Sequence, residues 1–170
     1  LLDLYTMYRS YHDRGGVSGK RFAFVGDLLR GRAVRSVVFL LSQFPNVEML
    51  FIAPPAFQIA PDLEEALKQN NVVIQKSENL DEVLPYVDSL YMTRVQDEYD
   101  MSGESGQIDF NYFNLTPNNL KLMKKDAIIM HPLPRGPEID PVVDIDPRAM
   151  YWRQERNGMW MRVAVLLKIF

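Results

Sequence analysis

The sequence contains no cysteine. That excludes disulfides and thiolate metal sites, and it suits a cytoplasmic protein. Histidine is nearly absent, with only His12 and His131. His131 has no second His, Cys or carboxylate cluster at metal-ligand spacing, so no metal is expected. No long block of like charge occurs, and the net charge of -3 argues against a nucleic-acid partner. No apolar run is long enough to span a membrane, because Arg162 and Lys168 interrupt the most apolar stretch. No charged leader precedes a long apolar segment, so a signal peptide is not expected. The Gly-x-Gly-x-x-Gly pattern is missing, and no Lys-Ser/Thr follows Gly26-Asp27…Gly31, which weakens any nucleotide reading. Ser36 and Ser89 have no partner that would make either a nucleophile. Neither cofactor nor internal repeat is indicated.

What is present is a regular alternation. With 47% of its 170 residues hydrophobic, the chain can build one ordinary core. Leu1, Leu4, Tyr5, Tyr8 and Tyr11 recur at helical spacing, so the chain starts within a helix. Short apolar strands follow at Arg21 to Gly26, Val47 to Ala53, Val72 to Gln75, Ser89 to Thr93 and Ala127 to Met130. Helices are expected between them: Ala33 to Phe44, Pro61 to Lys68 with Pro at its first position, Asn79 to Val87 with Asn as cap, and one begun by Thr116-Pro117. Tyr99 to Asn114 lacks a clean period and reads as a long functional loop. A run of prolines from Pro132 to Pro147 keeps the next stretch irregular. Tyr151 to Phe170 reads as helix with a break near Asn157-Gly158. The fold class expected is α/β: a doubly wound parallel sheet of about five strands, helices on both faces, in an order such as 3-2-1-4-5.

That order puts a switch point between strands 1 and 4, where ligands bind at the carboxyl ends of the strands. Three segments leave strands there: Gly26 to Arg32, Thr93 to Gln96 and His131 to Arg135. Each carries arginine, whose planar fork grips a carboxylate or phosphate by two parallel bonds. Two forks from different strands suit a ligand with two separated anionic groups. Each residue also has a plainer reading. A single Arg after a strand is usually solvated, Asp27 can cap a helix or pair with a nearby Arg, and a lone His before Pro is more often a structural hydrogen-bonder than a base. The prolines of His131-Pro132-Leu133-Pro134 stiffen that loop, and carbonyls held in a stiff loop are good acceptors for an amine.

Taken together, Leu1-Leu2-Asp3-Leu4-Tyr5-Thr6, Val25-Gly26-Asp27-Leu28…Gly31-Arg32…Arg35-Ser36, Leu90-Tyr91-Met92-Thr93-Arg94-Val95-Gln96, His131-Pro132-Leu133-Pro134-Arg135 and Asn157-Gly158…Arg162 resemble aspartate carbamoyltransferase. The resemblance runs along essentially the whole chain but covers only that family's carboxyl-terminal, aspartate-binding domain. Ornithine carbamoyltransferases typically carry His-Cys-Leu-Pro where Pro132 stands here. The family's Ser-Thr-Arg-Thr phosphate loop and His-Pro-Thr-Gln segment do not occur in these residues. One departure is Leu28-Leu29-Arg30, where relatives often have a Lys and a Tyr or His.

The resemblance implies a role for each site residue. Arg32 would hold the α-carboxylate of L-aspartate, and Arg94 the side-chain carboxylate with Gln96 beside it. The carbonyls of Pro132 and Leu133 would orient the attacking amine, and the Leu133-Pro134 bond would be cis. Asp27, Thr93, His131, Pro134 and Arg135 would support them. Carbamoyl phosphate would be held by a preceding domain, against which the helices of residues 1–14 and 151–170 would pack. The full enzyme would be a homotrimer of pyrimidine synthesis, and this domain by itself would be inactive. Two alternatives stay open: a carbamoyltransferase for another amino acid, and a non-catalytic assembly domain of transferase-like fold.

Overall fold

The computed structural model describes residues 1–95, 109 and 113–170. Five parallel strands form one sheet in the order β3-β2-β1-β4-β5, with β1 at Arg21–Val25, β2 at Glu48–Ile52, β3 at Val73–Ser77, β4 at Ser89–Met92 and β5 at Ile128–Met130. The α-helices are α1 (Leu2–Tyr11), α2 (Arg32–Leu41), α3 (Pro61–Gln69), α4 (Leu80–Val83) and α5 (Tyr151–Ile169). This is the doubly wound α/β sheet that the alternation of elements implied.

The strands are apolar on both sides because side chains alternate across a sheet covered on both faces. Phe22, Phe24, Met49, Phe51, Tyr91 and Met130 point one way, into a core shared with α1, α2 and α3. Ala23, Val25, Leu50, Ile52, Leu90, Met92 and Ile129 point the other way, towards α4 and Tyr151 of α5. Phe24 ties the first core together, stacked on Phe51 with centroids 5.6 Å apart and tilted against Tyr91 at 5.7 Å. The edge strand β3 is the polar one. Its Lys76 pairs with Glu64 of α3, which keeps an open edge charged.

Two sequence expectations are corrected. No α-helix follows Thr116. The described residues there form only a 3-10 turn at Asn119–Leu122. The Asn119 side chain accepts from the Thr116 N–H at 2.8 Å and donates to the Asn114 carbonyl at 2.9 Å. Such local side-chain bonds compete with helical ones. Conversely, α5 runs unbroken through Asn157-Gly158. Gly158 is buried where α1 and α5 meet, and a Cβ there would lie 3.3 Å from Leu2 Cδ2 and from Arg162 Nη1. The glycine serves helix-to-helix approach instead of ending the helix. The expected loop from Tyr99 to Asn114 falls outside the described residues apart from positions 109, 113 and 114.

At the switch point the ends of β1 and β4 touch. Gly26 has φ +110°, and a Cβ on it would come within 2.3 Å of the Thr93 carbonyl oxygen and 2.6 Å of Thr93 Oγ1. The Thr93 hydroxyl and N–H both donate to the Val25 carbonyl, at 2.8 and 2.9 Å. Only glycine meets both the backbone angle and the space. Gly26→Ala should therefore lower unfolding free energy by about 2–3 kcal/mol, read as a shifted urea midpoint at unchanged slope.

Candidate functional site

Three loops leave the carboxyl ends of β1, β4 and β5 and enclose a cavity of about 480 Å³. The first turn of α2 supplies Arg32, Ala33 and Ser36. Thr93 and Arg94 come from the end of β4, and His131, Pro132, Leu133 and Pro134 from the loop after β5. Arg32 is the first residue of α2 and is exposed, while Arg94 is half-buried. The cavity thus has two guanidinium-bearing residues from different strand ends and the partly positive start of α2. Among the described residues, no three His, Cys, Asp or Glu side chains converge as a metal ligand set would.

The third part of the lining is the loop after β5. Leu133 adopts a left-handed φ of +56°, and the Leu133-Pro134 peptide is cis. A left-handed leucine is disfavoured by roughly 1–2 kcal/mol, so something must hold it. The His131 imidazole does. Its Nδ1 accepts the Leu133 N–H at 2.9 Å, and its Nε2 lies 2.8 Å from Glu138 Oε1. An unprotonated Nδ1 places the ring proton on Nε2, facing the carboxylate. Neither the Pro132 nor the Leu133 carbonyl accepts a hydrogen bond from another described residue. Both acceptors are held in place and left open.

Two expected residues lie apart from the cavity wall. Asp27 is fully buried beneath the loop after β1, where its Oδ1 accepts the Arg30 N–H at 3.0 Å and its Oδ2 lies 3.7 Å from the Arg30 guanidinium. That guanidinium stacks 5.0 Å from the Phe57 ring centroid. The Phe57 carbonyl in turn accepts the N–H groups of Leu28 and Leu29 at 3.0 and 3.1 Å. The expectation of three loops each bringing a guanidinium to the crevice is corrected to two. Arg135 pairs with Asp144 and donates to the Ile139 carbonyl at 3.3 Å, which holds the loop from behind. Gln96 lies outside the described residues.

Glu138 was missed. Nothing in Gly136-Pro137-Glu138 marks it, and only the folded loop sets it against His131. Burial alone would raise its carboxyl, but hydrogen bonds from His131 and from the Gly136 and Glu138 amides bring it below the ordinary carboxylate value. A depressed carboxyl pKa contributes stability that is present above the unfolded value, near 4.5, and is lost as pH falls through the lower folded value. Glu138→Gln should therefore be less stable than wild type above pH 4.5, with the gap closing as the solution is acidified below it. Urea midpoints taken across this range check the sign.

Comparison with known proteins decides the family. The model for the aspartate/ornithine carbamoyltransferase Asp/Orn binding domain matches residues 18–169. The chain belongs to this family. It is 41% identical over 167 residues to the aspartate carbamoyltransferase catalytic subunit of Alkaliphilus oremlandii, covering 98% of this chain and 50% of that protein. It is 38% identical over 169 residues to the multifunctional protein CAD of Squalus acanthias, covering 99% of this chain and 7% of that protein. Among solved structures, the catalytic subunit of Methanocaldococcus jannaschii aspartate transcarbamoylase superposes with a TM-score of 0.84 at 38% identity, over 97% of this chain and 52% of that one. Trypanosoma cruzi aspartate transcarbamoylase in complex with N-(phosphonacetyl)-L-aspartic acid gives 0.87 at 37% identity, over 97% and 53%. The chain therefore spans about half the length of the catalytic subunits it matches.

Proposed function

We propose that this chain is the aspartate-binding half of an aspartate carbamoyltransferase. The observation that carries the reading is a single cavity bearing Arg32 and Arg94 on two strand ends and open Pro132 and Leu133 carbonyls on a third. Arg32 takes the α-carboxylate of L-aspartate, Arg94 the side-chain carboxylate, and Gln96 adds a hydrogen bond beside it. The ammonium donates to the carbonyls. Thr93, Pro134, His131, Asp27 and Arg135 support these groups without meeting the substrate's charges. Complexes of the Trypanosoma cruzi relative with aspartate and phosphate, and with carbamoyl phosphate, support this assignment of ligands.

In the reaction so assigned, the deprotonated amine attacks the carbonyl carbon of carbamoyl phosphate. A C–N bond forms, the C–O bond to phosphate breaks, and phosphate leaves with the electron pair. The nitrogen gives up a proton, and N-carbamoyl-L-aspartate results. Positioning and charge stabilisation supply the rate, with on the order of 7–11 kcal/mol available from holding both reactants in one closed site. This chain supplies only the acceptor's half of that arrangement. Carbamoyl phosphate sits on a second half, packed against α1 and α5. The support for that packing is apolar surface: Leu166, Leu167, Ile169 and Phe170 of α5 are exposed, and a cavity of about 460 Å³ opens between Leu1, Leu2, Met161 and Val165. The complete enzyme is read as a homotrimer of pyrimidine synthesis in the cytoplasm. Among the described residues no helix is long and apolar enough to cross a membrane.

Two outcomes are expected. The chain binds L-aspartate in preference to L-ornithine, and Arg32→Ala or Arg94→Ala each weakens binding about 10- to 100-fold, the worth of a charge-assisted pair. Equal binding of the two amino acids by calorimetry would refute the assignment of Arg94. The purified 170-residue chain forms no N-carbamoyl-L-aspartate from L-aspartate and carbamoyl phosphate. Product detected by chromatography would show that the site is complete without a second half.

A further inference from the structure

Beside the loop after β5 runs a partly buried polar chain that the reaction above leaves without a task. Gln154, on the first turn of α5, is 1% exposed. Its Oε1 accepts the His131 N–H at 3.0 Å, and its Nε2 donates to Asp3 Oδ1 at 2.6 Å. Asp3 Oδ2 accepts the Tyr91 hydroxyl of β4 at 3.2 Å. One turn along both helices, Asn157 Nδ2 donates to Thr6 Oγ1 at 2.9 Å. The orientation of the Gln154 amide is determined by its neighbours. A carboxylate only accepts and a backbone N–H only donates, so a flipped amide would set oxygen against oxygen and N–H against N–H. Asp3 thereby aims the Gln154 oxygen at His131.

His131 is the residue from which the carbonyl wall hangs. Its backbone precedes Pro132, and its ring holds the left-handed Leu133. Gln154 grips it on the backbone side and Glu138 on the ring side. We propose that Gln154, oriented by Asp3, is a positioning residue for recognition of the substrate's amino group. It acts by fixing His131 and so the direction of the Pro132 and Leu133 carbonyls. This inference rests on the aspartate-binding reading and adds to it a contact path from α1 through α5 to the amine subsite. Arg32 stands at the start of α2 and Arg94 just past β4, outside the run of hydrogen bonds from Asp3 through Gln154 to His131.

The two subsites can be read separately with two ligands. L-aspartate and succinate share both carboxylates, but succinate has no amine. Titration of the 170-residue chain with each ligand, followed by nuclear magnetic resonance, should show that Gln154→Leu weakens L-aspartate about tenfold and leaves succinate within about twofold. Equal loss of both ligands, or no loss of either, overturns the positioning role, because a general structural defect does not distinguish them. A charge exchange covers the case in which Gln154→Leu does not fold. Gln154→Glu alone opposes two carboxylates and should lose L-aspartate selectively. Adding Asp3→Asn restores a donor at position 3 and an acceptor towards the His131 N–H, and should recover wild-type binding. A double variant no better than Gln154→Glu overturns the proposal. Wild-type chain that binds neither ligand removes the aspartate-binding reading itself, and this inference with it.

Discussion

The site depends on one close approach, between the carboxyl ends of β1 and β4. The Gly26 backbone lies against Thr93 with no room for a side chain, and Thr93 donates twice to the Val25 carbonyl. Beyond that contact the two chains part, because the crossovers from β1 and β4 run to opposite sides of the sheet. The loop carrying Arg32 and the segment carrying Arg94 therefore begin side by side and then diverge. The cavity between them is a consequence of topology. Under the reading proposed above, the ligand held there is a small dicarboxylate, with one anionic group for each arginine of the cavity.

The third wall is stiff for a different reason. A left-handed leucine is not a conformation the chain takes unaided. It is imposed by His131, which is held on its ring by Glu138 and on its backbone by Gln154. Rigid acceptors recognise an amine by direction as well as by distance, and they need no reorganisation when it arrives. The loop after β1 is held in a comparable way, with buried Asp27 and the Phe57 carbonyl tying down its amides. Neither of these anchors touches the cavity, yet both set where the groups that line it can be.

Much of this was legible in the sequence because it follows from short-range pattern. Five apolar runs broken by helical ones are enough to give a parallel sheet, and right-handed crossovers then give its order. Arg32, Arg94 and the His131 to Pro134 loop stand out because they directly follow strands. The failures share a physical cause, which is that side chains chose partners that spacing does not reveal. Asn119 captured the turn after Thr116, and Leu2 covered Gly158 so that α5 continued through it. Arg135 turned to Asp144. Glu138 and Gln154 lie 7 and 23 residues beyond His131 and meet it only in the fold.

A crystal structure of this chain with L-aspartate bound is the most direct test of the central claim. The expected result is one carboxylate within hydrogen-bond distance of Arg32, the other on Arg94, and the ammonium on the Pro132 and Leu133 carbonyls. L-aspartate bound elsewhere, or bound in this cavity with both carboxylates on one arginine, would contradict it.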